Sequence, residues 1–260
     1  MTTERELEGR AALVTGASYG LGFAIAQELA RRGAAVAITD IDDRREEAAA
    51  RLRADGHRAV AIGVDVTDLD SVRQGVAQTV EAFGALDIQV NNAAMARTAR
   101  PILEMDAESW DRTFAVNVRG TMFSIRAAAE QMIRQGKGGR IISISSTAGL
   151  KPYPQRSHYC SSKAAIIQLT KVAGIEFAPH GITANVVCPG QSVTENLRQM
   201  MAGSTNVREA EEMRARQARI PLGPNDPGDI AHAVAFFASP AAKTVTGQVL
   251  AVEGGGLMTG

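Results

Sequence analysis

The feature that most constrains this chain's fold is a regular alternation of short apolar runs and longer amphipathic segments along its 260 residues. Short apolar runs are typical of buried strands, and apolar residues three and four positions apart are typical of helices. The predicted strands are 11–15, 34–40, 58–65, 86–93, 139–146, 182–190 and 247–255. The predicted helices are 20–33, 42–56, 68–84, 108–135, 158–178 and 227–239.

This alternation favours an α/β fold with one parallel sheet, because strand–helix–strand units place their strands parallel in the same sheet. Strands that are apolar on both faces fit a sheet with helices packed on each side. We therefore expect a doubly wound, three-layer αβα arrangement that forms a single domain over residues 1–260. Residues 191–221 lack the pattern and are rich in Met, Arg and Glu, so we interpret them as an insertion that borders the substrate.

Charge and cysteine content argue against several classes of partner. Lys and Arg together number 28, as do Asp and Glu, and this balance favours neither nucleic acid nor an anionic membrane surface. Two cysteines do not suggest a disulfide framework, and the charged N-terminus lacks the apolar run of a secretory signal. No stretch is long and apolar enough to span a membrane. We therefore expect a cytoplasmic protein that acts on a small molecule.

The sequence TGASYGLG, residues 15–22, lies between the first predicted strand and the first predicted helix. Gly16 can turn sharply out of the strand, Gly20 lets the backbone approach a ligand, and Gly22 lets the helix pack on the sheet. The amides and helix dipole there favour a pyrophosphate, although an ordinary glycine-rich turn is the alternative. The loop predicts a dinucleotide site of the Rossmann type. Its other expected cofactor contacts are Ser18, Tyr19 and Leu21.

Asp40 ends the second predicted strand, eighteen residues beyond Gly22. A carboxylate at this place can accept hydrogen bonds from both hydroxyls of the adenosine ribose and would repel a 2′-phosphate. Tyr19 and Ile41, which should flank the ribose, carry no positive charge, although Arg44 is close in sequence. We therefore expect NAD to be preferred over NADP, with Ile41 as a further cofactor contact.

Tyr159 and Lys163 lie four positions apart in a predicted helix and should share one face of it. A free tyrosine has a pKa near ~10 and is a poor base at neutral pH. A cation within about 4–6 Å lowers that pKa, so the pair is suited to removing a proton from an alcohol. A chance pairing on the surface is the alternative, because the spacing alone is common.

These motifs, in this order, resemble the short-chain dehydrogenase/reductase family in its single-domain branch, from about Gly9 to Gly256. The glycine loop resembles the family's TGxxxGxG, and NNAA at 91–94 resembles its NNAG, with Ala94 in place of the glycine. Gln191 and Ser192 replace residues that are usually apolar there. The resemblance implies cofactor contacts at Asp65, Val66, Asn92, Ala93, Tyr159, Lys163, Pro189, Gly190, Ser192 and Thr194.

The resemblance also implies a catalytic set of Asn117, Ser146, Tyr159 and Lys163, since Ser146 precedes Tyr159 by the family's thirteen residues. Tyr159 would be the general acid and base, and Ser146 would orient the substrate oxygen. Asn117 would sit where the family holds a water that links the lysine to solvent. The family usually forms homotetramers through helices that correspond to 108–135 and 158–178 and through the last strand.

The expected function is therefore an NAD-dependent oxidoreductase that interconverts a secondary alcohol and a ketone, with polyols or sugar-like compounds favoured. Reduction of a 3-oxoacyl thioester is the alternative within the enzymes, and a non-catalytic dinucleotide sensor is the alternative outside them. An enoyl reductase would need a wider tyrosine-to-lysine gap. The four histidines lack metal-ligand spacing, so no metal is expected. His158 is interpreted as a solvated residue at a helix start, with a place in the lining of the cleft beside Tyr159 as the alternative.

Loops after the fourth, fifth and sixth strands should border the substrate, because ligands lie at the carboxyl ends of parallel strands. Their polar composition favours a small hydroxylated or acidic substrate over a steroid, unless the arginines face water. The residues concerned are Met95, Arg97, Arg100, Tyr153, Gln155, Arg156, Gln191 and Ser192.

Overall fold

The structure is a computed structural model that describes residues 5–95, 99–192 and 217–258. Seven parallel strands in these ranges form one sheet with the order β3-β2-β1-β4-β5-β6-β7. They are β1 Ala11–Thr15, β2 Ala35–Asp40, β3 Ala59–Gly63, β4 Ile88–Asn91, β5 Gly139–Ile144, β6 Ile182–Pro189 and β7 Val249–Val252. The helices are α1 Gly20–Arg31, α2 Arg45–Ala54, α3 Leu69–Phe83, α4 Ala107–Phe114, α5 Gly120–Gln135, α6 Ser157–Glu176 and α7 Pro227–Ala238.

Two apolar layers cover the sheet, one on each face, and confirm the three-layer prediction. On one face, α1, α2 and α7 pack against alternate strand residues such as Val36 and Ile38. On the other, α3, α5 and α6 pack against residues of opposite orientation, such as Leu13 and Ile141. Burial of side chains on both faces explains why the central strands are largely apolar.

The strand order reverses between β1 and β4, which are hydrogen-bonded neighbours in the centre of the sheet. In open α/β sheets a ligand binds outside the carboxyl ends of the strands at such a reversal. The glycine loop follows β1, and Asn92 and Ala93 follow β4. The topology therefore brings residues from distant parts of the sequence to one edge of the sheet.

The predicted helix 108–135 differs in one respect. Its axis continues from α4 to α5 through a π-helical turn, Ala115–Arg119, which contains Asn117. Such turns hold one residue more than an α-helical turn and are frequent at functional sites, and apolar periodicity does not reveal them.

Of the predicted insertion at 191–221, residues 193–216, which include Thr194, lie outside the described residues, and Arg97 does as well.

No helix in the described ranges combines the length and apolar character that crossing a membrane requires.

Candidate active site

The glycine loop has the geometry of a phosphate cradle. Gly16 and Gly20 have φ angles of 64° and 60°, in the left-handed region that only glycine adopts without strain. A Cβ on Gly22 would lie 2.1 Å from the Gly16 carbonyl oxygen, so only glycine permits the helix to pack here. A Cβ on Gly20 would instead enter open space, which leaves the backbone accessible. The loop thus fits a pyrophosphate between its amides and the start of α1.

Two residues fix the loop: Asn92, which follows β4, and Thr15, the last residue of β1. The Asn92 Nδ2 group donates to the carbonyl oxygens of Thr15 and Gly16, each at 2.9 Å. The Thr15 hydroxyl accepts from the backbone N–H groups of Asn92 and Ala93 at 3.0 and 3.1 Å. Asn92 therefore shapes the cradle through its side chain. Sequence reasoning missed Thr15, although a polar residue at the end of an apolar strand was a usable signal.

Asp40 lies at the end of β2 with its carboxylate turned toward the glycine loop. Its two oxygens accept from the backbone N–H groups of Ser18 at 3.2 Å and Asp42 at 3.1 Å. These bonds fix the carboxylate at the place where a ribose would lie, and each oxygen keeps a further lone pair for a hydroxyl. The adjacent Ile41 is largely exposed at the same edge.

Arg44 lies closer to the cofactor loop than the sequence indicated. Its guanidinium carbon is 4.0 Å from the centroid of the Tyr19 ring, a stacking distance for a cation on an aromatic face. The same guanidinium forms an ion pair with Asp42 at 2.5 Å and lowers the pKa of that carboxyl to about 2. Arg44 is therefore already paired with an acid, and its charge is largely balanced.

Asp65 and Val66 follow β3 at the same edge. One oxygen of the exposed Asp65 carboxylate accepts from the backbone N–H and hydroxyl of Thr67, at 2.8 and 2.7 Å. Val66 is buried and contacts Gly120 so closely that a Cβ there would lie 2.8 Å from a Val66 methyl. Asp65 and Val66 are thus held in place after β3, at the edge of the sheet formed by the carboxyl ends of its strands.

Ser146 and Tyr159 meet just beyond β5. Ser146 follows that strand, accepts from the Ala148 N–H at 3.1 Å, and lies close enough to Tyr159 for its side chain to lower the pKa of the phenol. Lys163 lies one turn along α6, with Nζ 5.7 Å from the centroid of the tyrosine ring. The Lys163 side chain is 2% exposed and donates from Nζ to the Ile144 carbonyl at 3.0 Å. The structure therefore brings three of the four predicted catalytic residues together.

The electrostatics of this group differ from the expectation that Lys163 lowers the pKa of the phenol. Burial raises the pKa of Tyr159, and the Ser146 side chain and the charge of Arg156 offset only part of that effect. Burial also lowers the pKa of Lys163, from 10.5 to about 8. The ammonium is directed at the Ile144 carbonyl, so removal from water dominates over attraction at both groups.

Asn117, the fourth predicted catalytic residue, is fully buried and holds the loop after β4. Its Oδ1 accepts from the Met95 N–H at 2.7 Å, and its Nδ2 donates to the Met95 carbonyl at 3.0 Å. The same Nδ2 donates to the Ser162 hydroxyl at 3.0 Å. Asn117 therefore links the β4 loop to α6 directly beside Lys163, as a positioning group.

The segment after β6 lies against the end of β7. The Gly190 N–H donates to the Val252 carbonyl at 2.9 Å, and a Cβ on Gly190 would lie 2.6 Å from that of Glu253. Ser192 forms a parallel backbone bridge with Asn225. Its hydroxyl is buried and has no hydrogen-bond partner within the described part of the chain, so a polar ligand atom would satisfy it.

Several predicted substrate-border residues are already engaged with other protein groups. Arg100 forms an ion pair with Asp106, the N-cap of α4, and its backbone N–H donates to the Gln155 carbonyl at 2.8 Å. The Tyr153 hydroxyl lies 3.3 Å from the Thr147 hydroxyl. Arg100 is thus neutralised by a neighbouring acid, which weakens the sequence argument for an acidic substrate.

The interpretation of His158 as solvated was wrong. Its side chain is 1% exposed, because His158 lies on the buried side of the first turn of α6, whereas Ser161 faces water. Among the described residues, no three His, Cys, Asp or Glu side chains come together as a metal site would require.

Comparison with known proteins gives consistent matches. A family model described as Enoyl-(Acyl carrier protein) reductase matches residues 16–256. A sorbitol dehydrogenase of Cereibacter sphaeroides is 39% identical over 257 residues, 97% of this chain and 99% of the relative. An L-rhamnose 1-dehydrogenase (NAD(P)(+)) of Sphingomonas sp. (strain SKA58) is 39% identical over 252 residues, 96% of each chain. The crystal structure of a short-chain type dehydrogenase/reductase from Mycobacterium marinum superposes with a TM-score of 0.86 at 34% identity, covering 98% of both chains.

Proposed function

Since this chain belongs to the short-chain dehydrogenase/reductase family, we propose that it interconverts a secondary alcohol and a ketone with NAD, using Tyr159 as general acid and base. It is an oxidoreductase of the type that acts on CH–OH groups. The observation that carries the proposal is the placement of Ser146 beside Tyr159 at the carboxyl ends of the strands, with Lys163 one helical turn farther along α6.

In this proposal, the side chains of the site act together on one oxygen atom of the substrate. A bound nicotinamide dinucleotide supplies a hydride acceptor in oxidation and a donor in reduction. Ser146 and Tyr159 can both donate to the substrate oxygen, which orients it and stabilises charge on it. In oxidation the hydroxyl proton passes to Tyr159 Oη, and in reduction that oxygen returns it. The glycine loop, Asp40 and the segment Pro189–Ser192 would hold the cofactor.

We place the substrate among neutral polyols or sugar-like compounds. Named relatives act on sorbitol and L-rhamnose, and Arg100 is neutralised by Asp106 in this chain. The matched family model carries an enoyl reductase description. However, Tyr159 and Lys163 are only four residues apart on one face of α6, a spacing that favours alcohol chemistry.

A substrate panel tests this proposal. Polyols, aldoses, hydroxy acids and 3-oxoacyl thioesters would be assayed with NAD and NADP by absorbance of the reduced nicotinamide. We expect turnover to be fastest with a polyol or sugar and NAD. Faster turnover of a 3-oxoacyl thioester would replace this function by thioester reduction, and binding of NAD without any turnover would favour the sensor.

The preference for NAD follows from the fixed carboxylate of Asp40, which would repel a 2′-phosphate. We expect kcat/KM with NAD to exceed that with NADP by about a hundredfold, the effect of about 3 kcal/mol of repulsion. Asp40→Ala should bring the two values within about tenfold, because the carboxylate that repels the 2′-phosphate is removed.

The matched control is Asp43→Ala, which removes an exposed acid three residues away. It should leave the preference unchanged. Equal use of NADP by the unmodified chain would contradict the proposed role of Asp40.

We further propose a cytoplasmic homotetramer in which residues 1–260 form one domain and the insertion at about 191–221 borders the substrate. Exposed apolar side chains on α5 and α6, where the family's contacts are expected, support the assembly. They are Met122, Ile133, Val172 and Ile175.

A further inference from the structure

We propose that Asn225 is a positioning residue that fixes the segment Gly190–Ser192 and thereby the nicotinamide end of the cofactor. The inference rests on the proposed function, in which this segment binds that end. Asn225 lies just before α7, more than thirty positions along the chain from the segment it would position. No motif in the sequence analysis included it.

Asn225 is 6% exposed and joins three parts of the chain. Its backbone N–H donates to the Gln191 carbonyl at 3.0 Å, and its backbone pairs with Ser192 in the parallel bridge. Its side-chain Nδ2 donates to the Val252 carbonyl at the end of β7. A single residue therefore holds the segment after β6 and the end of β7 together.

The Val252 carbonyl is the centre of this arrangement, because it accepts from both the Gly190 N–H and Asn225 Nδ2. A carbonyl oxygen has two lone pairs, so both donors can be satisfied at once. Only a side chain with an N–H donor of this length fills the second position. Leucine has the same size and would leave the carbonyl one donor short.

The segment held in this way lies beside the reactive pair. The Ser145 N–H donates to the Val187 carbonyl at 2.8 Å, so the end of β6 lies against the residue that precedes Ser146. Gly190–Ser192 begins three residues after Val187 and contains the buried Ser192 hydroxyl, which has no hydrogen-bond partner among the residues that the structure describes. A displacement of the segment would therefore move a polar contact close to Ser146 and Tyr159.

The test compares binding of NADH with binding of ADP-ribose, which has the adenosine and pyrophosphate parts but no nicotinamide. We expect Asn225→Leu to weaken NADH binding about tenfold, the factor of about one hydrogen bond. ADP-ribose binding should change less than about twofold. A residue that only stabilised the fold would not separate the two ligands.

Asn185→Leu is the matched control. Asn185 is also buried, donates to the Val245 carbonyl at 2.8 Å and accepts from the Gln248 N–H at 3.0 Å, but in the interior of β6. It should lower the thermal unfolding midpoint at least as much as Asn225→Leu and leave the ratio of the two affinities unchanged.

Equal weakening of NADH and ADP-ribose by Asn225→Leu, or no weakening of either, would overturn the inference. If Asn225→Leu does not fold, Asn225→Ser tests the same separation. Failure of the unmodified chain to bind either ligand would refute the proposed function and the inference with it. Turnover by the unmodified chain together with unaltered NADH binding in the variant would refute only the inference.

Discussion

Tyr159→Phe is expected to lower kcat by about a thousandfold while affinity for NAD stays within about twofold of the unmodified chain. The ring remains, but the hydroxyl proposed to exchange a proton with the substrate oxygen is removed, and a general acid or base contributes about 10²–10⁴ in rate. Stopped-flow or steady-state assays with NADH fluorescence titrations separate the two quantities.

The same residue determines the expected pH dependence. Because burial raises the pKa of Tyr159, the phenol is protonated at neutral pH, which suits ketone reduction. Alcohol oxidation needs the phenolate, so kcat/KM for oxidation should rise with pH above neutrality while that for reduction should fall at high pH. Tyr153→Phe, which removes a partly exposed hydroxyl in the preceding loop, should preserve both rate and profile. Retention of full activity by Tyr159→Phe would exclude it as the proton carrier.

Lys163→Met should reduce kcat/KM by about a hundredfold or more and make the protein more stable at pH 7. A lysine pKa that falls from 10.5 to about 8 in the folded chain corresponds to about 3 kcal/mol of unfavourable burial. Methionine fills the same space without charge but loses the hydrogen bond to Ile144, worth about 1 kcal/mol. We therefore expect a net gain of about 2 kcal/mol in the free energy of unfolding by urea.

The sign of the pH effect distinguishes this cause from better packing. Between pH 8 and 10.5 the folded chain binds fewer protons at Lys163 than the unfolded chain, so stability of the unmodified protein rises with pH there. The stability difference from Lys163→Met should therefore shrink between pH 8 and pH 10. Lys171→Met, two turns farther along α6, is the control and should show no such trend. A destabilised Lys163→Met at pH 7 would contradict the burial cost.

The fold could be predicted from the sequence because the sheet and each helical layer correspond to a local pattern of apolar residues. Strands buried on both faces are largely apolar. The glycines at 16 and 22 occur where a Cβ would clash with neighbouring backbone, and Gly20 occurs where the backbone has a positive φ. Tyr159 and Lys163 could be paired because four residues in a helix make one turn.

Other parts of the site depend on contacts between distant residues and leave no such signal. Arg44 stacks on Tyr19 only because α2 begins beside the glycine loop. The pKa of Lys163 follows from burial by several elements, and Asn225 reaches Val252 only after the chain has returned to the sheet. These interactions require the assembled fold, because sequence spacing does not encode distance between separate elements.

The π-helical turn at Ala115–Arg119 has a consequence for how this protein can vary. The extra residue rotates α5 by about 100° about its axis relative to an uninterrupted α-helix. The face that carries Asn117 and the face of α5 that packs on the sheet therefore point in directions that one uninterrupted helix would not give. A deletion of one residue anywhere between Asp106 and Ile125 would rotate these two faces relative to each other. Either the apolar face of α5 or the face that carries Asn117 would then point away from the residues it contacts. Insertions and deletions in proteins that descend from this one should therefore be absent from the continuous helix α4–α5 and occur in the loops that flank it.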